Sequence, residues 1–561
     1  MRTRPFDQVT RVVSVGVCLA LLFPVGNMIL RTFVRGDDRL AVGDVTGLFG
    51  DSGTLEAIRN TVIILLIAGP CAIGVGGLLA WLNERTDARI GLAGDVLPIA
   101  SLLVPPIAGS IAWTLLFSPR SGFANVLIRD GLSRIGINLG QGPVNVFSWY
   151  GVIFAYCAYM IPYAYLPIAA ALRSLDPALE EAGRVNGSSS LQVLWRITVP
   201  AIKPAILTAT FLVTVICVGI YSVPSILGTR SRIDVVSVVI VRKLKFSYPP
   251  DVKGALLLGF LLLAVVAVVW LLQSRAAGSG RFARIAPRGQ SDNLVRLGRW
   301  RIFARIGLVG YLVAMSVVPL AALAFVSLQR FWTPHVDWSS LNLDNYRALF
   351  GSTGGAARAL RNSLWLGLVG ATIGVLLAVF AAFYLRRDRS RFSRVVDGVL
   401  KLPGNMSHIV LAIAFVLAFA GPPFRLGNTR WILLLAFVSI YVYQAVLQSS
   451  DALSRVGDDL IDASHTSGHG ITRTVRWVVL PLMAPGLVAS WILFFVHIIG
   501  DVNAAAILAG TKNQVVGSEL VNLYEGGQYT QLAALATVLS AVSMVFVLSS
   551  LGLSRLMRRR T

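Results

Sequence analysis

The segment at residues 176–204, DPALEEAGRVNGSSSLQVLWRITVPAIKP, is polar and charged although it lies between two long apolar runs. Its skeleton occurs twice in the chain. The first copy comprises Glu181, Ala182, Gly187, Ile197 and Pro200, and the second comprises Asp462, Ala463, Gly468, Val478 and Pro481. Each residue of the second copy lies 281 positions after its counterpart, as in 468 − 187, and half of the 561-residue chain is 280.5. A fixed long period of this kind indicates two fused copies of one unit.

The spacing within each copy is similar to that of a known motif. Glu-Ala-x-x-x-x-Gly, followed after nine residues by Ile-x-Leu-Pro, resembles the EAA loop of type I ABC importer permeases. The first copy departs from that pattern at Gly183, where the family has alanine, and the second has Asp462-Ala463-Ser464 in place of Glu-Ala-Ala. The resemblance covers nearly the whole chain. Chains of this length with two fused halves look most like the ferric-iron and thiamine branch of the family.

The resemblance implies a fold and a set of partners. The fold is that of an all-α polytopic membrane protein with about 12 transmembrane helices in two parallel six-helix repeats, as in type I ABC importer permeases. A separate ABC ATPase homodimer would dock on the two EAA segments at the cytoplasmic face. A periplasmic or lipid-anchored substrate-binding protein would deliver the substrate at the outer face. The five residues named in each copy would then be the ATPase-coupling residues.

The composition indicates a membrane protein and not a nucleic-acid-binding one. The chain is 55% hydrophobic with a mean hydropathy of +0.71, and only 14% of its residues are charged. Its formal net charge of +23 comes from arginine clusters in short gaps between apolar runs, which is the positive-inside pattern of a polytopic protein. The four cysteines all fall inside apolar runs without metal-binding spacing, so we interpret them as packed hydrophobic residues.

Twelve apolar runs of about the length that crosses a hydrocarbon layer can be counted. They lie roughly at 12–33, 61–82, 95–117, 149–172, 204–227, 254–273, 302–328, 363–385, 397–420, 431–450, 484–509 and 533–554. We therefore predict a first permease half at 1–273 with its EAA segment at about 173–204. A basic linker follows at 274–301, and a second half at 302–561 has its EAA segment at about 454–485.

The basic clusters also predict an orientation. Arginines precede the first run and fill the 274–301 linker, the gap after the eighth run and the C-terminal tail. With both termini in the cytoplasm, all four clusters and both EAA segments lie on the cytoplasmic face of a bacterial inner (plasma) membrane. The linker is interpreted as a solvated tether, and contact with anionic lipid headgroups is the alternative.

The EAA segment itself predicts a short helix, a turn and a second helix. Asp176 and Pro177 are typical of a helix start, and Gly187 is suited to a left-handed turn at its end. Pro200 and Pro204 then lead into the next span. In the family, the resemblance implies, this segment docks in a groove of the ATPase. A plain amphipathic interfacial loop is the alternative.

Few ionisable residues occur at membrane depth, and each is therefore a candidate functional residue. His497 and Asp501 lie in the eleventh run, and the 281-residue offset sets Ile220 opposite Asp501 with Tyr221 beside it. The resemblance implies that this span lines the translocation path, so Tyr221, His497 and Asp501 are candidates for it. Alternatively, Asp501 caps a helix break or faces the water at the outer surface near Asn503. His408 is interpreted as a packing residue, and no His, Cys, Asp or Glu cluster has metal-binding spacing.

These observations favour the permease subunit of an ATP-driven, binding-protein-dependent importer that works by alternating access. Ferric iron is the preferred cargo, with thiamine, a phosphonate or a polyamine as alternatives. The chain is not expected to be an enzyme or to hold a cofactor. It has no G-x-x-x-x-G-K-[ST] phosphate loop, so ATP and Mg²⁺ would be bound by the separate ATPase. An ion-coupled secondary transporter is the alternative class, and it would leave the repeated motif unexplained.

Overall fold

The computed structural model describes residues 5–33, 42–91, 94, 104–277, 294–333, 336–351, 354–388 and 390–558. Most of the predicted linker, at 278–293, lies outside these ranges. The described residues form helices, and their single β pairing is an isolated parallel bridge between Thr86 and Val295. The predicted all-α class is confirmed.

The α-helices are numbered here in chain order. They are α1 (Pro5–Phe33), α2 (Val42–Gly50), α3 (Ser52–Arg85), α4 (Pro106–Phe117), α5 (Phe123–Ser133), α6 (Trp149–Ser174), α7 (Pro177–Val185), α8 (Ser190–Val193), α9 (Val199–Ala201), α10 (Lys203–Gly219), α11 (Val236–Lys245), α12 (Val252–Ala277), α13 (Trp300–Leu312), α14 (Val318–Ser327), α15 (Asp344–Phe350), α16 (Gly355–Arg387), α17 (Arg391–Lys401), α18 (His408–Phe419), α19 (Arg430–Ser454), α20 (Asp458–Thr466), α21 (Ile471–Thr474), α22 (Leu480–Gly500), α23 (Asn503–Leu508), α24 (Val516–Glu525) and α25 (Tyr529–Arg558). Four π-helical turns lie at Leu194–Thr198, Pro224–Gly228, Val313–Val317 and Val475–Val479, and three 3₁₀ turns at Thr229–Ser231, Trp338–Ser340 and Pro403–Asn405.

Among the described residues, nine helices are long and apolar enough to cross a membrane. A tenth span arises if the bent pair Ser190–Ala201 and Lys203–Gly219 is counted as one. Two shorter apolar helices, α4 and α18, correspond to the third and ninth predicted runs. Each of the twelve predicted runs thus has a helix, but these two helices have 12 residues each and are shorter than a full span.

The chain divides into two compact units, and each contains pieces from both ends of the sequence. The first-repeat unit comprises Phe49–Val239 and Phe260–Leu341, and the second-repeat unit comprises Met1–Leu48, Ile240–Gly259 and Asn342–Thr561. The first span of each sequence half therefore belongs to the unit built mainly from the other half. The sequence half in which a helix lies therefore does not by itself tell which unit the helix belongs to.

In the first-repeat unit, three long helices form the centre. Helix α3 packs along α6, and α10 packs against both of them. The helices that begin the second sequence half join this unit, because α14 packs on α4 and α13 contacts α3. Buried residues of α3 and α6 are mostly small or aliphatic, which allows the long helices to approach closely, and the buried Arg85 lies at the C-terminal end of α3.

The second-repeat unit has the same central arrangement. Helix α16 packs against α19 and α22, and α22 also contacts α25. The N-terminal helix α1 packs against α16, α17 and α18.

Matched hydrogen bonds show that the two units share one local design. Asn60 Nδ2 donates to the Asp234 carbonyl oxygen at 3.0 Å, and Asn362 Nδ2 donates to the Gln514 carbonyl oxygen at 2.8 Å. One position further along each helix, Thr61 and Ser363 accept from the backbone N–H groups of Val236 and Val516. The same pairs of polar groups therefore fix the start of α3 and of α16.

Close packing of α3 on α6 predicts a sensitive position at Gly76. A Cβ atom there would lie 3.0 Å from both the Ala164 Cβ and the Ile161 carbonyl oxygen, whereas Gly74 in the same helix has nothing within 4 Å. We expect Gly76→Leu to destabilise the protein by about 1–3 kcal/mol through overpacking, and Gly74→Leu to change stability little. Thermal unfolding of both variants in detergent measures this. Equal melting temperatures would contradict the packing.

Candidate functional site: the two EAA segments and a buried carboxylate

The first EAA segment begins with a capped helix and ends it at a left-handed glycine. The Asp176 side chain accepts from the Ala178 N–H at 2.9 Å and so caps α7. Gly187 has φ +82°, a conformation that disfavours residues with a Cβ atom. The Ser188 N–H, one residue later, donates back to the Gly183 carbonyl oxygen at 3.1 Å. The turn is the expected left-handed helix end, and it fixes the direction in which α8 departs.

The second EAA segment repeats this turn residue by residue. Gly468 has φ +81°, and the His469 N–H donates to the Ser464 carbonyl oxygen at 3.2 Å. Donor and acceptor each lie 281 positions after their counterparts in the first copy (469 − 188 and 464 − 183). The two segments therefore share a backbone conformation although their side chains differ.

A π-helical turn follows in both copies, at Leu194–Thr198 and at Val475–Val479, immediately before the region of Pro200 and Pro481. Proline lacks an N–H donor, so a wider turn can accommodate the missing hydrogen bond. The copies then diverge. In the first, the helix breaks at Ile202 with a bend of 71°, whereas α22 continues through Pro485 to Gly500.

The predicted coupling residues lie mostly on the surface of their own unit. Seven of them are exposed, namely Ala182, Gly187, Pro200, Asp462, Ala463, Gly468 and Pro481. Glu181, Ile197 and Val478 are half-buried. A Cβ atom at Gly183 would lie 2.5 Å from Ile197 Cδ1, so the departure from alanine at that position allows α7 to approach the following helix closely.

Large apolar side chains accompany these exposed residues. Leu179 and Trp195 are exposed in the first segment, and Leu460 and Trp477 are exposed in the second. Leu460 lies 281 positions after Leu179 (460 − 179), and the two tryptophans occupy neighbouring positions of the repeat. An exposed tryptophan beside a leucine is typical of a protein contact surface.

Glu180, the neighbour of the predicted Glu181, is buried in the first segment. Its Oε1 accepts from Thr198 Oγ1 at 2.7 Å, and its Oε2 lies 3.5 Å from Arg85 Nε at the end of α3. Arg85 also donates to the Leu175 carbonyl oxygen at 3.0 Å. Sequence reasoning missed this ion pair, because only the fold brings residue 85 next to residue 180.

The second segment replaces this polar contact by an apolar one. The positions 281 residues after Glu180 and Thr198 are Ile461 and Val479, which belong to an apolar cluster with Leu453, Val456 and Met483. An arginine is still present, since Arg386 Nη2 donates to the Val456 carbonyl oxygen at 3.1 Å, as Arg85 does to Leu175.

The Asp501 carboxylate is buried and makes four hydrogen-bonding contacts. Tyr441 donates its hydroxyl to Oδ2 at 2.6 Å, and His408 Nδ1 lies 3.0 Å from the same oxygen. The backbone N–H groups of Ala504 and Ala505 donate to Oδ1 at 2.8 and 3.3 Å. Asp501 therefore caps the start of α23, which was one of the two predicted roles.

The other two candidate path residues are also enclosed within their units. His497 Nδ1 lies 2.6 Å from the Leu493 carbonyl oxygen, and its ring is 5.2 Å from the Tyr441 ring. Tyr221 is 4% exposed. A role of Tyr221, His497 or Asp501 in the translocation path stays a prediction. His408 and Tyr441, which the sequence did not single out as functional, join Asp501 in this cluster.

A protein-family model matches two stretches of the chain and so identifies its family. The model for binding-protein-dependent transport system inner membrane components matches residues 57–277 and again residues 374–561. The chain belongs to this family. It is a fused permease subunit of the ABC importer type with two repeats, and it is a multi-pass membrane protein. Permease subunits are not themselves enzymes.

Relatives of this permease include proteins with different named cargoes. The ferric transport system permease protein FbpB of Actinobacillus pleuropneumoniae is 21% identical over 94% of this chain and 75% of its own length. A probable ABC transporter permease, y4fN of Sinorhizobium fredii, is 25% identical over 84% of this chain and 85% of its own. The spermidine/putrescine permease PotC of Haemophilus influenzae is 24% identical, over 46% of this chain and 98% of its own.

Solved structures that are similar to this chain include a bacterial ABC transporter involved in the import of the acidic polysaccharide alginate. One of its chains is 17% identical, with a TM-score of 0.38, and the match covers 46% of this permease and 95% of that chain.

The capping network predicts that the Tyr441 hydroxyl stabilises the permease. Tyr441→Phe removes the 2.6 Å hydrogen bond to Asp501 and leaves a buried carboxylate oxygen with fewer donors. We expect a loss of about 1–2 kcal/mol in the free energy of unfolding, seen as a lower melting temperature in detergent. Tyr443→Phe, two positions along α19, is the matched control and should melt near the wild type. Unchanged melting of Tyr441→Phe would contradict the network.

Proposed function

We propose that this permease imports ferric iron, that it works by alternating access, and that a separate ATPase drives it through both EAA segments. The repeated surface turn carries the coupling part of this proposal. An exposed turn with a left-handed glycine occurs once per repeat, and each copy leads into an apolar helix, across a 71° bend at Ile202 in the first copy and directly into α22 in the second. A partner that displaced the turn would therefore displace a span.

The shape of the segments supports docking of another protein. Both copies expose a leucine before the left-handed glycine and a tryptophan after it, and both hold the turn by a backbone hydrogen bond. Two equivalent docking surfaces suit a homodimeric partner, since each ATPase subunit would receive one segment.

The cargo proposal rests on the relatives that cover most of the chain. Two ferric transport permeases, from Actinobacillus pleuropneumoniae and Haemophilus influenzae, match 94% and 88% of it. The spermidine/putrescine permeases match less than half, which corresponds to one repeat. The fused architecture thus favours ferric iron, with a polyamine as the second candidate and thiamine or a phosphonate behind it.

The proposed location and partners follow from the family and from the charge distribution. A binding-protein-dependent system requires a substrate-binding protein, which would be periplasmic or lipid-anchored, at the outer face. The basic clusters support a cytoplasmic location for both termini and both EAA segments at a bacterial inner membrane. Membrane lipid surrounds the spans, and no nucleic-acid partner is proposed.

The coupling role predicts the effect of strain at the two left-handed glycines. Replacing both Gly187 and Gly468 by valine forces a β-branched residue into positive φ, at about 1–3 kcal/mol per site. We expect the double variant to insert and to hydrolyse ATP with its ATPase, while uptake per ATP falls. The measurement is substrate uptake and phosphate release in proteoliposomes that contain the whole importer.

Two controls separate strain from bulk in this experiment. Asparagine tolerates the left-handed conformation, so a variant with Gly187→Asn and Gly468→Asn should keep most of its coupling. Gly470 has φ −71° and nothing within 4 Å, so Gly470→Val adds bulk without strain. Normal uptake per ATP in the double valine variant would contradict the coupling role.

The cargo proposal predicts which binding protein stimulates the importer. We expect a ferric-ion-loaded binding protein to stimulate ATP hydrolysis and to deliver radioactive iron into proteoliposomes. A polyamine-loaded binding protein should do neither. Stimulation by the polyamine-loaded protein alone would replace ferric iron by a polyamine and leave the coupling proposal intact.

A further inference from the structure

The end of α3 forms a corner at residues 85–87 that contacts three other segments of the first-repeat unit. Arg85 contacts the first EAA segment through Glu180 and Leu175. The backbone of Thr86 and its neighbours pairs with the end of the linker, since the Val295 N–H donates to the Arg85 carbonyl oxygen at 2.9 Å. The Asp87 N–H in turn donates to the Val295 carbonyl oxygen at 3.1 Å.

Asp87 extends the corner to the first helix of the second sequence half. Its Oδ1 accepts from the Leu297 N–H at 3.1 Å, and its Oδ2 lies 3.7 Å from Arg301 Nε in α13. Arg305, one turn further along α13, donates to the Asp87 carbonyl oxygen at 3.3 Å. The described end of the linker is therefore fixed to the corner, and the residues at 278–293, which were interpreted as a solvated tether, lie outside the described residues.

The connection from Glu180 to Arg85 is ionic and buried. The side chains are 4% and 10% exposed, so little water screens the two charges. A buried ion pair contributes little net stability, because desolvation of both ions offsets their attraction. Separating the charges in a low-dielectric environment is nevertheless costly, so the pair resists relative displacement of the segments that it joins.

The second EAA segment is held in a different way. Ile461 and Val479 replace Glu180 and Thr198, and their apolar cluster has no preferred direction of contact. An apolar contact can slide over a short distance at small cost. The correlated replacement of both partners shows that the difference between the copies is a change of contact type, not the loss of a single residue.

We propose that the corner at residues 85–87 transmits movement of the first EAA segment to the described end of the linker and to α13, with Arg85 and Glu180 as its positioning residues. This inference rests on the proposed function, in which the ATPase moves the EAA segments. In the second copy, Ile461 and Val479 stand at the positions of Glu180 and Thr198, and Arg386 donates to the Leu453 and Val456 carbonyl oxygens, so that segment is held by apolar packing together with an arginine.

The test replaces the buried ion pair of the first copy by apolar side chains, with Ile and Val taken from the matched positions of the second copy. The variant Arg85→Met/Glu180→Ile/Thr198→Val leaves no unpaired buried charge, and such replacements are often tolerated without loss of stability. We expect this triple variant to have a normal melting temperature and to assemble normally with the ATPase. Its uptake and ATP hydrolysis are measured in proteoliposomes that contain the ATPase and the loaded binding protein. Uptake per ATP should fall by about fivefold or more, the lower end of typical coupling between sites.

Three further variants define the connection. Arg85→Lys with Glu180 retained keeps the ion pair and should keep uptake per ATP near the wild type. Asp7→Asn removes the contact between Asp7 and Arg387 in the second-repeat unit, 3.1 Å long, and should not change coupling. Asp87→Asn weakens the connection to Arg301 and should lower uptake per ATP without affecting assembly.

The outcomes separate this inference from the proposed function. Wild-type uptake per ATP in the triple variant would overturn the proposal that the corner transmits movement. If the triple variant does not assemble, the variant Glu180→Gln replaces it in the test, because glutamine keeps the shape and the hydrogen bond from Thr198 but removes the charge. Wild-type uptake per ATP in Glu180→Gln would then also overturn the proposed role of the corner. The double valine variant at Gly187 and Gly468 is measured alongside. If the double valine variant keeps wild-type uptake per ATP, the proposed coupling function is wrong. If only the triple variant keeps wild-type uptake per ATP, the proposed role of the corner is wrong and the coupling function stands.

Discussion

A backbone hydrogen bond that reaches back over a left-handed glycine is the constraint on which each EAA segment depends. It joins Ser188 to Gly183 in the first copy and His469 to Ser464 in the second. Because positive φ is costly for residues with a Cβ atom, glycine fixes the turn at this position in both copies. The turn sets the path of the next helix, which leads into an apolar helix, through a 71° bend in the first copy and without a break in the second. The position of the exposed segment is thereby tied to an apolar helix in both copies.

The periodic features of this structure were accessible from sequence because they repeat. Equal spacing of Gly187 and Gly468 from their prolines identified the motif and the two-repeat organisation. Hydropathy predicted a helix for every apolar run, and each run has one among the described residues. The ninth run divides between α17 and α18, because hydropathy does not report where a helix begins or ends, and residues 95–103 of the third run lie outside the described residues.

Contacts between distant residues were not accessible in the same way. No local pattern pairs Arg85 with Glu180 or His408 with Asp501, since each pair is separated by more than ninety positions and meets only through helix packing. The motif directed attention to Glu181, yet the buried carboxylate belongs to its neighbour Glu180. Likewise, the assignment of α1 and α13 to the opposite unit depends on tertiary packing, which apolar periodicity does not encode. The replacement of Glu180 and Thr198 by Ile461 and Val479 was visible in the alignment of the repeats, but its meaning required the distance to Arg85.

The central claim is that both EAA segments are docking surfaces for a cytoplasmic ATPase. Ala182 and Ala463 are exposed at matched positions of the two copies, so each can carry a cysteine in a background without the four native cysteines. Thiol cross-linking in intact membranes then tests the claim most directly. The account predicts that each position cross-links to the ATPase and that neither reacts with an impermeant reagent added outside the cell. Labelling of either position from outside, or failure of both to reach the ATPase in an assembled importer, would contradict it.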